Sequence, residues 1–327
     1  MSRRTSFDGF NRPFGTCGRS ELNPAVNFRA IFKSPSGRGK APAQNVKIPV
    51  RCAQRNPALV RAKRCARWAG LLFAFTGLLA AGAEPTPLVN AHAHNDYEHA
   101  RPLLDALDRG FCSIEADVWL VDGQLLVAHD RGKVKPERTL QALYLDPLRA
   151  RVKENGGRVY AGGPSLTLMV DVKSGAADTW LALRAALRPY ESILTRFGRD
   201  GIETGAVTVI ISGNRARDLM ASDTNRLAAY DGRLADLESG TTPQFIPLVS
   251  DQWLRISNWR GGTGKPLPVD DERKLRQTVS KAHAQGRRIR FWGAPDTPEV
   301  WAVFRKAGVD LLNADDLDGL REFLLKP

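Results

Sequence analysis

Cysteine is scarce in this chain, and its placement matters more than its number. Of Cys17, Cys52, Cys65 and Cys112, only Cys112 follows residue 83. One thiol cannot close an intrachain bridge, so that region must fold without disulfides. Long apolar runs are also missing. The charge-free block Ala69–Ala83 has 15 residues, short of the roughly 20 that a membrane-spanning helix needs. Histidine is rare, with five in 327 residues. The net charge of +13 is local: residues 1–68 hold fifteen Lys and Arg against Asp8 and Glu21, and the remainder holds 33 basic and 33 acidic residues. A neutral remainder with no basic, aromatic-studded stripe excludes nucleic acid as a partner. Nothing in it marks a protein partner either.

Residues 1–59 are rich in Arg, Pro, Gly, Ser and Asn and show no helical or strand period. Such a segment buries too little apolar surface to fold. The basic run Val60–Trp68 then precedes the apolar block, which ends Ala81-Gly82-Ala83 before Glu84-Pro85. A basic flank, a short apolar stretch and small residues at its end read as a secretory signal peptide over 60–83. The expected product is an exported protein, periplasmic or secreted, with no membrane span after cleavage and no Cys for a lipid anchor. No methionine separates Met1 from Met169, so a start near Val60 would use a codon other than ATG.

The 244 residues from Glu84 to Pro327 match the size of one (β/α)8 barrel. They alternate apolar strand-like and helical segments. Strands are expected at Pro87–His94, Phe111–Val121, Ser165–Val172, Ala206–Ser212, Gln244–Ser250, Arg288–Trp292 and Asp310–Asn313. Helices are expected at Arg101–Arg109, Asp178–Phe197 (divided near Pro189), Asp271–Gln285, Pro298–Lys306 and Leu317–Leu325. Repeating strand–helix units make a parallel sheet covered by helices, and the length favours closure into a TIM barrel. Polar residues gather where strands end, at the edge that carries the active site in barrels. Some, such as Ser212 and Asp315, need no explanation beyond the start of a loop. Glu115, inside the apolar run FCSIEADVWLV, does.

Four of the five histidines (His92, His94, His99 and His129) fall within Asn90–Asp130, with Glu115 and Asp117. Residues two apart on a strand share a face, so Glu115 converges with Asp117, Asp171 with Lys173, and His92 with His94. Two converging carboxylates repel unless a cation or a shared proton relieves them. With Asp171 they form an all-oxygen set suited to Mg²⁺ or Ca²⁺; an internal ion-pair network through Lys173 is the competing account. His94 and His129 suit acid and base roles near neutral pH, and Lys173 adds a fixed positive charge. His99 and His283 read as surface residues. One geometric obstacle stands out: a hairpin turning at Asp122-Gly123, paired strictly, sets His129 opposite Ala116, on the face away from Glu115. His129 reaches the site only if the hairpin bulges or leaves the sheet.

The segment His94–Asp130 resembles the glycerophosphodiester phosphodiesterase and phosphatidylinositol phospholipase C superfamily. The likeness rests on a His closing strand one, Ile114-Glu115-Ala116-Asp117-Val118, Asp122-Gly123 and His129-Asp130. The wording HAHNDY followed by IEADVW is most similar to the "altered inheritance of mitochondria" branch. The resemblance implies a PLC-like TIM barrel, catalytic His94 and His129, metal ligands Glu115, Asp117 and Asp171, and a small-molecule or lipid phosphodiester as substrate. Expected substrate contacts are Lys173, Asn95, His92, Trp292 and Asn313. Two departures bear on the substrate. His94-Asn95-Asp96 replaces the usual His-Arg-Gly, removing an arginine that helps hold phosphate. Asp171-Val172-Lys173 is more similar to the spider-venom sphingomyelinase D pattern than to the usual Glu. The rivals are an amidohydrolase-type metal hydrolase, from His92-Ala93-His94, and a catalytically silent barrel that binds phosphate or lipid.

Overall fold

The computed structural model describes residues 84–262 and 264–326. The extension expected over 1–59 and the signal peptide expected over 60–83 lie outside the described residues. The strands are β1 (Leu88–Ala93), β2 (Phe111–Val121), β3 (Gln124–Val127), β4 (Leu166–Val172), β5 (Arg196–Phe197), β6 (Ile202–Glu203), β7 (Val207–Gly213), β8 (Ala228–Gly232), β9 (Leu248–Gln252), β10 (Arg288–Trp292) and β11 (Leu312–Ala314). Eight of them run parallel in the order β10-β9-β8-β7-β4-β2-β1-β11. A parallel bridge between Arg290 and Leu311 joins the two ends. The result is the expected (β/α)8 barrel. β3 is antiparallel to β2 and extends beyond the ring, and β5 and β6 form a separate small pair.

The alternation along β2 explains which side chains reach the interior. Ile114, Ala116 and Val118 belong to the main apolar core, together with Leu168, Val170 and Val172 of β4 and Val209 and Ile211 of β7. That core includes the helices over Ala176–Leu187, Val269–Ala284, Pro298–Ala307 and Leu317–Leu325. The opposite faces supply the barrel lumen, where Met169, Ile210, Ala229, Leu248 and Leu311 form a second, smaller apolar cluster. Register places Glu115 beside Met169 and Asp117 beside Asp171, with Asp171 next to Ser212. Glu115 and Asp117 are therefore lumen residues by strand parity, stacked toward the C-terminal end.

The late repeat follows local rules closely. Thr297 caps the helix over Pro298–Ala307 by accepting from Val300 N, and Pro298 takes its first position, where a missing N–H costs nothing. Several expectations differ, among them the helical stretch Asp178–Phe197, which ends at Leu187 with a 3-10 turn to Tyr190 and leaves Phe197 in β5. The expected helix over Arg101–Arg109 shrinks to Leu104–Leu107. β9 starts only at Leu248, after Pro247. β8, with the sequence AAYDG, was not expected at all, because Ala has low strand propensity and Asp-Gly reads as a turn. Pairing with β7 and β9 overrides that local preference.

The loop after β1 is tied down by Asp96. Its Oδ2 accepts from Leu103 N at 2.5 Å and from the Tyr144 hydroxyl at 2.8 Å, while its buried Oδ1 has no partner. Burial pushes this carboxyl up to about 6 against the pull of those two donors. The folded protein therefore holds a proton that the unfolded chain releases near pH 4. Between these values the native state binds more protons, so stability should fall as pH rises from about 4 to about 6, by on the order of 3 kcal/mol. Asp96→Asn should flatten that part of the profile, as measured by urea denaturation at several pH values. An unchanged slope would remove Asp96 as its source.

Candidate active site

A cavity of about 520 Å³ opens at the C-terminal end of the barrel, lined by residues from both sides of the ring, among them His94, Asn95, Glu115, His129, Asp171, Lys173 and Trp292. Glu115, Asp117 and Asp171 offer carboxylate oxygens that all lie within 4.8 Å of one another. Each carboxylate is held differently. Glu115 Oε2 accepts from Arg290 Nη2 at 2.5 Å and sits 3.0 Å from His92 Nε2. Asp117 Oδ2 accepts from the Tyr97 hydroxyl at 2.7 Å and Lys173 Nζ at 3.1 Å, and lies 3.0 Å from His129 Nδ1. Asp171 is 3.3 Å from Lys173 Nζ.

The two proposed acid/base histidines share one arrangement. His94 Nδ1 lies 2.9 Å from Asp315 Oδ1, and His129 Nδ1 lies 3.0 Å from Asp117 Oδ2. A carboxylate at Nδ1 fixes ring orientation and tautomer, leaving each Nε2 with no hydrogen-bond partner among the described residues. Burial works against charging His94, but the Asp315 hydrogen bond and the nearby Glu115 charge outweigh it and raise its pKa. The obstacle at His129 resolves by the strand ending. β2–β3 pairing runs in register from Val121–Gln124 to Val118–Val127, and Ala128 N makes a last bond to Asp117 O. The chain then leaves the ladder, so His129 never takes the outward position opposite Ala116. Asp122 and Gly123 both have positive φ, 48° and 78°, the geometry of the tight turn that starts this hairpin.

The charge balance is only partly settled internally. Burial raises the Glu115 carboxyl most strongly, but Arg290 and the His92 contact together outweigh it and hold the group well below the usual carboxylate range. Burial, with Glu115 as neighbour, pushes Asp171 up to about 6, and burial likewise raises Asp117 despite Lys173. Asp117 Oδ1 is buried with no partner. An unsatisfied oxygen inside three hard oxygen donors fits Mg²⁺ or Ca²⁺. Lys173 thus neutralises part of the cluster without completing it. Room for the third carboxylate depends on Gly213, whose φ is +66°; a Cβ there would lie 2.0 Å from Asp171 Oδ1. Gly213→Ala should cost about 1–2 kcal/mol from the left-handed backbone alone and displace Asp171. Calorimetric Mg²⁺ titration should then show at least about tenfold weaker binding, whereas wild-type affinity would show that Asp171 is no ligand.

Two expected substrate contacts are corrected. His92 is fully buried, bonded to Ser113 Oγ at 2.7 Å as well as to Glu115, and does not line the cavity. Burial and then the Arg290 charge lower its pKa to about 3, so it is a neutral prop for Glu115. Asn313 accepts from Arg290 Nε at 2.7 Å and likewise does not line the cavity. The consumption of His92 also removes the basis for an amidohydrolase-type His-x-His site. Five contributors escaped the sequence reading. Arg290 alternates with Ile289 and Phe291 in RIRFW, and that inward charge was a usable signal. Tyr97 and Asp315 carried none, and Asp231 and Arg233 belong to the unexpected β8 and its following loop.

With this geometry established, relatives can be compared. The AIM6-like phosphodiesterase domain family matches residues 83–231, and the glycerophosphoryl diester phosphodiesterase family matches residues 288–318. Altered inheritance of mitochondria protein 6 homolog of Arthroderma benhamiae is 31% identical over 270 residues, covering 74% of this chain and 85% of the relative. This chain belongs to the altered inheritance of mitochondria protein 6 family. The member from Eremothecium gossypii is 30% identical over 270 residues, covering 72% of this chain and 69% of its own length. The Saccharomyces cerevisiae S288c member is 28% identical over 270 residues, covering 69% of this chain and 68% of its own length. The family matches fall on β1 to β8 and on β10 to β11, so both the carboxylate cluster and Arg290 lie within matched segments.

Proposed function

We propose that this family member cleaves a glycerophosphodiester, a phospholipid or a related phosphodiester by two-histidine acid/base catalysis at a divalent-cation site. One observation carries the reading. Two imidazoles, each anchored through Nδ1 to a carboxylate, border the same cavity as Glu115, Asp171 and Lys173, with Asp117 completing the carboxylate cluster behind them. Glu115, Asp117 and Asp171 would hold Mg²⁺ or Ca²⁺, which when bound offsets negative charge on a phosphodiester. Lys173 supplies a second, fixed positive charge at the same edge. His129 would take the proton of the attacking hydroxyl at Nε2. His94, whose cationic form is favoured by Asp315, would donate from Nε2 to the leaving alkoxide. Water as nucleophile gives a phosphomonoester; a neighbouring hydroxyl of the substrate gives a cyclic phosphate.

The test is phosphorus NMR of the purified protein with glycerophosphodiesters, lysophospholipids and sphingomyelin, with and without EDTA. Turnover should fall by at least about 10²-fold on chelation and return with Mg²⁺ or Ca²⁺. Chelator-resistant turnover defeats the metal assignment, and no turnover of any diester defeats the enzymatic reading. Export is proposed on the sequence of residues 60–83 alone. N-terminal sequencing of the mature protein should begin at Glu84, and a tryptic peptide from residues 5–55 would exclude the start near Val60.

A further inference from the structure

A second lobe of about 470 Å³ adjoins the main cavity and shares Arg233 and Trp292 with it. We propose that this lobe is a subsite for one esterified arm of the phosphodiester, and that it selects an acceptor-rich arm, polyhydroxyl or anionic, over a cationic headgroup. The inference rests on the phosphodiesterase reading and deepens it by naming the substrate class.

The argument is an accounting of donors and acceptors. The carboxylates near the lobe are already used. Asp231 is fully buried; it accepts from Ser212 Oγ at 2.7 Å, from Ser250 Oγ, and from Arg233 Nη1 at 2.7 Å. Asp251 accepts from the backbone N–H of Gln252 at 2.8 Å and of Leu234 at 3.1 Å. The donors are not used. All described side-chain hydrogen bonds of Arg233 run through Nη1, so the buried Asp231 fixes this guanidinium while Nε and Nη2 stay available at the junction of the two lobes. Arg255, with its side chain 73% exposed, stands on the far wall, 4.0 Å from Asp251. The Trp292 indole N–H has no acceptor among the described residues.

A lobe with two guanidiniums, an indole N–H and no free carboxylate favours hydroxyl, phosphate or carboxylate acceptors. A quaternary ammonium would gain one indole face from Trp292 but would leave the free guanidinium and indole N–H groups without an acceptor. Arg233 also supplies, from the loop after β8, a guanidinium fixed on the barrel rim.

The test compares glycerophosphoinositol and glycerophosphoglycerol with glycerophosphocholine, using the full chain, by phosphorus NMR. The first two should exceed the third by at least about tenfold in kcat/KM, because unpaired donors penalise an arm that cannot accept. Arg233→Gln and Arg255→Glu should each reduce that ratio to within about threefold. Calorimetric titration of the same compounds into the His94→Ala variant reads the preference without turnover. Tighter binding or faster cleavage of glycerophosphocholine overturns the subsite, as does a ratio unmoved by both arginine variants. Absence of turnover with the binding preference intact counts against the hydrolase reading alone.

Discussion

Replacing His129 with alanine is expected to lower kcat by about 10²–10⁴-fold, the usual contribution of a positioned acid or base. Stability should change by no more than about 1 kcal/mol, because the side chain is exposed and its buried partner Asp117 keeps two other donors. The separation is clean for structural reasons. The His129 side chain is 53% exposed and lies beyond the last ladder bond of the hairpin. Asp117 keeps Tyr97 and Lys173 as partners when the imidazole is gone. His94→Ala should show the same loss in kcat, and the double variant should be little worse than either single one if, as proposed, the two rings serve as acid and base in one transition state. Phosphorus NMR of product formation together with a denaturation curve makes the measurement. Turnover within threefold of wild type in either single variant would defeat the two-histidine mechanism.

Replacing Arg290 with methionine is expected to destabilise the fold by about 3–5 kcal/mol, the cost of stranding one member of a buried ion pair. The Arg290 side chain is 3% exposed and Glu115 5% exposed, so water cannot take over. Burial alone raises the Glu115 carboxyl, and Arg290 with His92 reverses that. In the wild type the folded pKa lies below the unfolded one. Its stabilising contribution is therefore present above about pH 4.3 and is lost as pH falls toward the folded value. Without Arg290 the sign inverts, and the variant should gain stability on acidification as Glu115 takes up a proton. The gap between the two proteins should narrow between about pH 7 and pH 4. Adding Glu115→Gln to the Arg290→Met background should recover most of the loss, which a double-mutant cycle in guanidinium would show. A gap independent of pH would mean that Arg290 acts through packing against Met169 and Asn313 rather than through Glu115.

The same pair bears on ion affinity. Arg290 and Lys173 already place two positive charges among three carboxylates. A divalent ion bound there would meet a nearly balanced cluster, and would rely on the unsatisfied Asp117 Oδ1 more than on bulk negative charge. This is a different electrostatic arrangement from a bare triad of acids.

The barrel, its strand–helix rhythm and the carboxylate cluster were readable in the residues. Strand parity carries that information directly: side chains two apart share a face, so Glu115 and Asp117 must converge wherever β2 is placed. The helix over Pro298–Ala307 and strand β10 were equally plain, because capping residues and apolar periods act over a few positions. β8 was not, since two alanines and an Asp-Gly form a strand only through the hydrogen bonds of β7 and β9. The pairings His94–Asp315, Tyr97–Asp117 and Arg290–Glu115 span 221, 20 and 175 residues, and no local pattern encodes such distances. By itself the sequence determined which groups lie at the barrel mouth. Tertiary structure alone decided their partners: it turned His92 from a contact into a prop, brought His129 to Asp117 by ending β3, and set a buried arginine beneath the acids. Closing the ring brings residues from opposite ends of the chain into contact in a low-dielectric interior, where each buried charge must find a counter-charge.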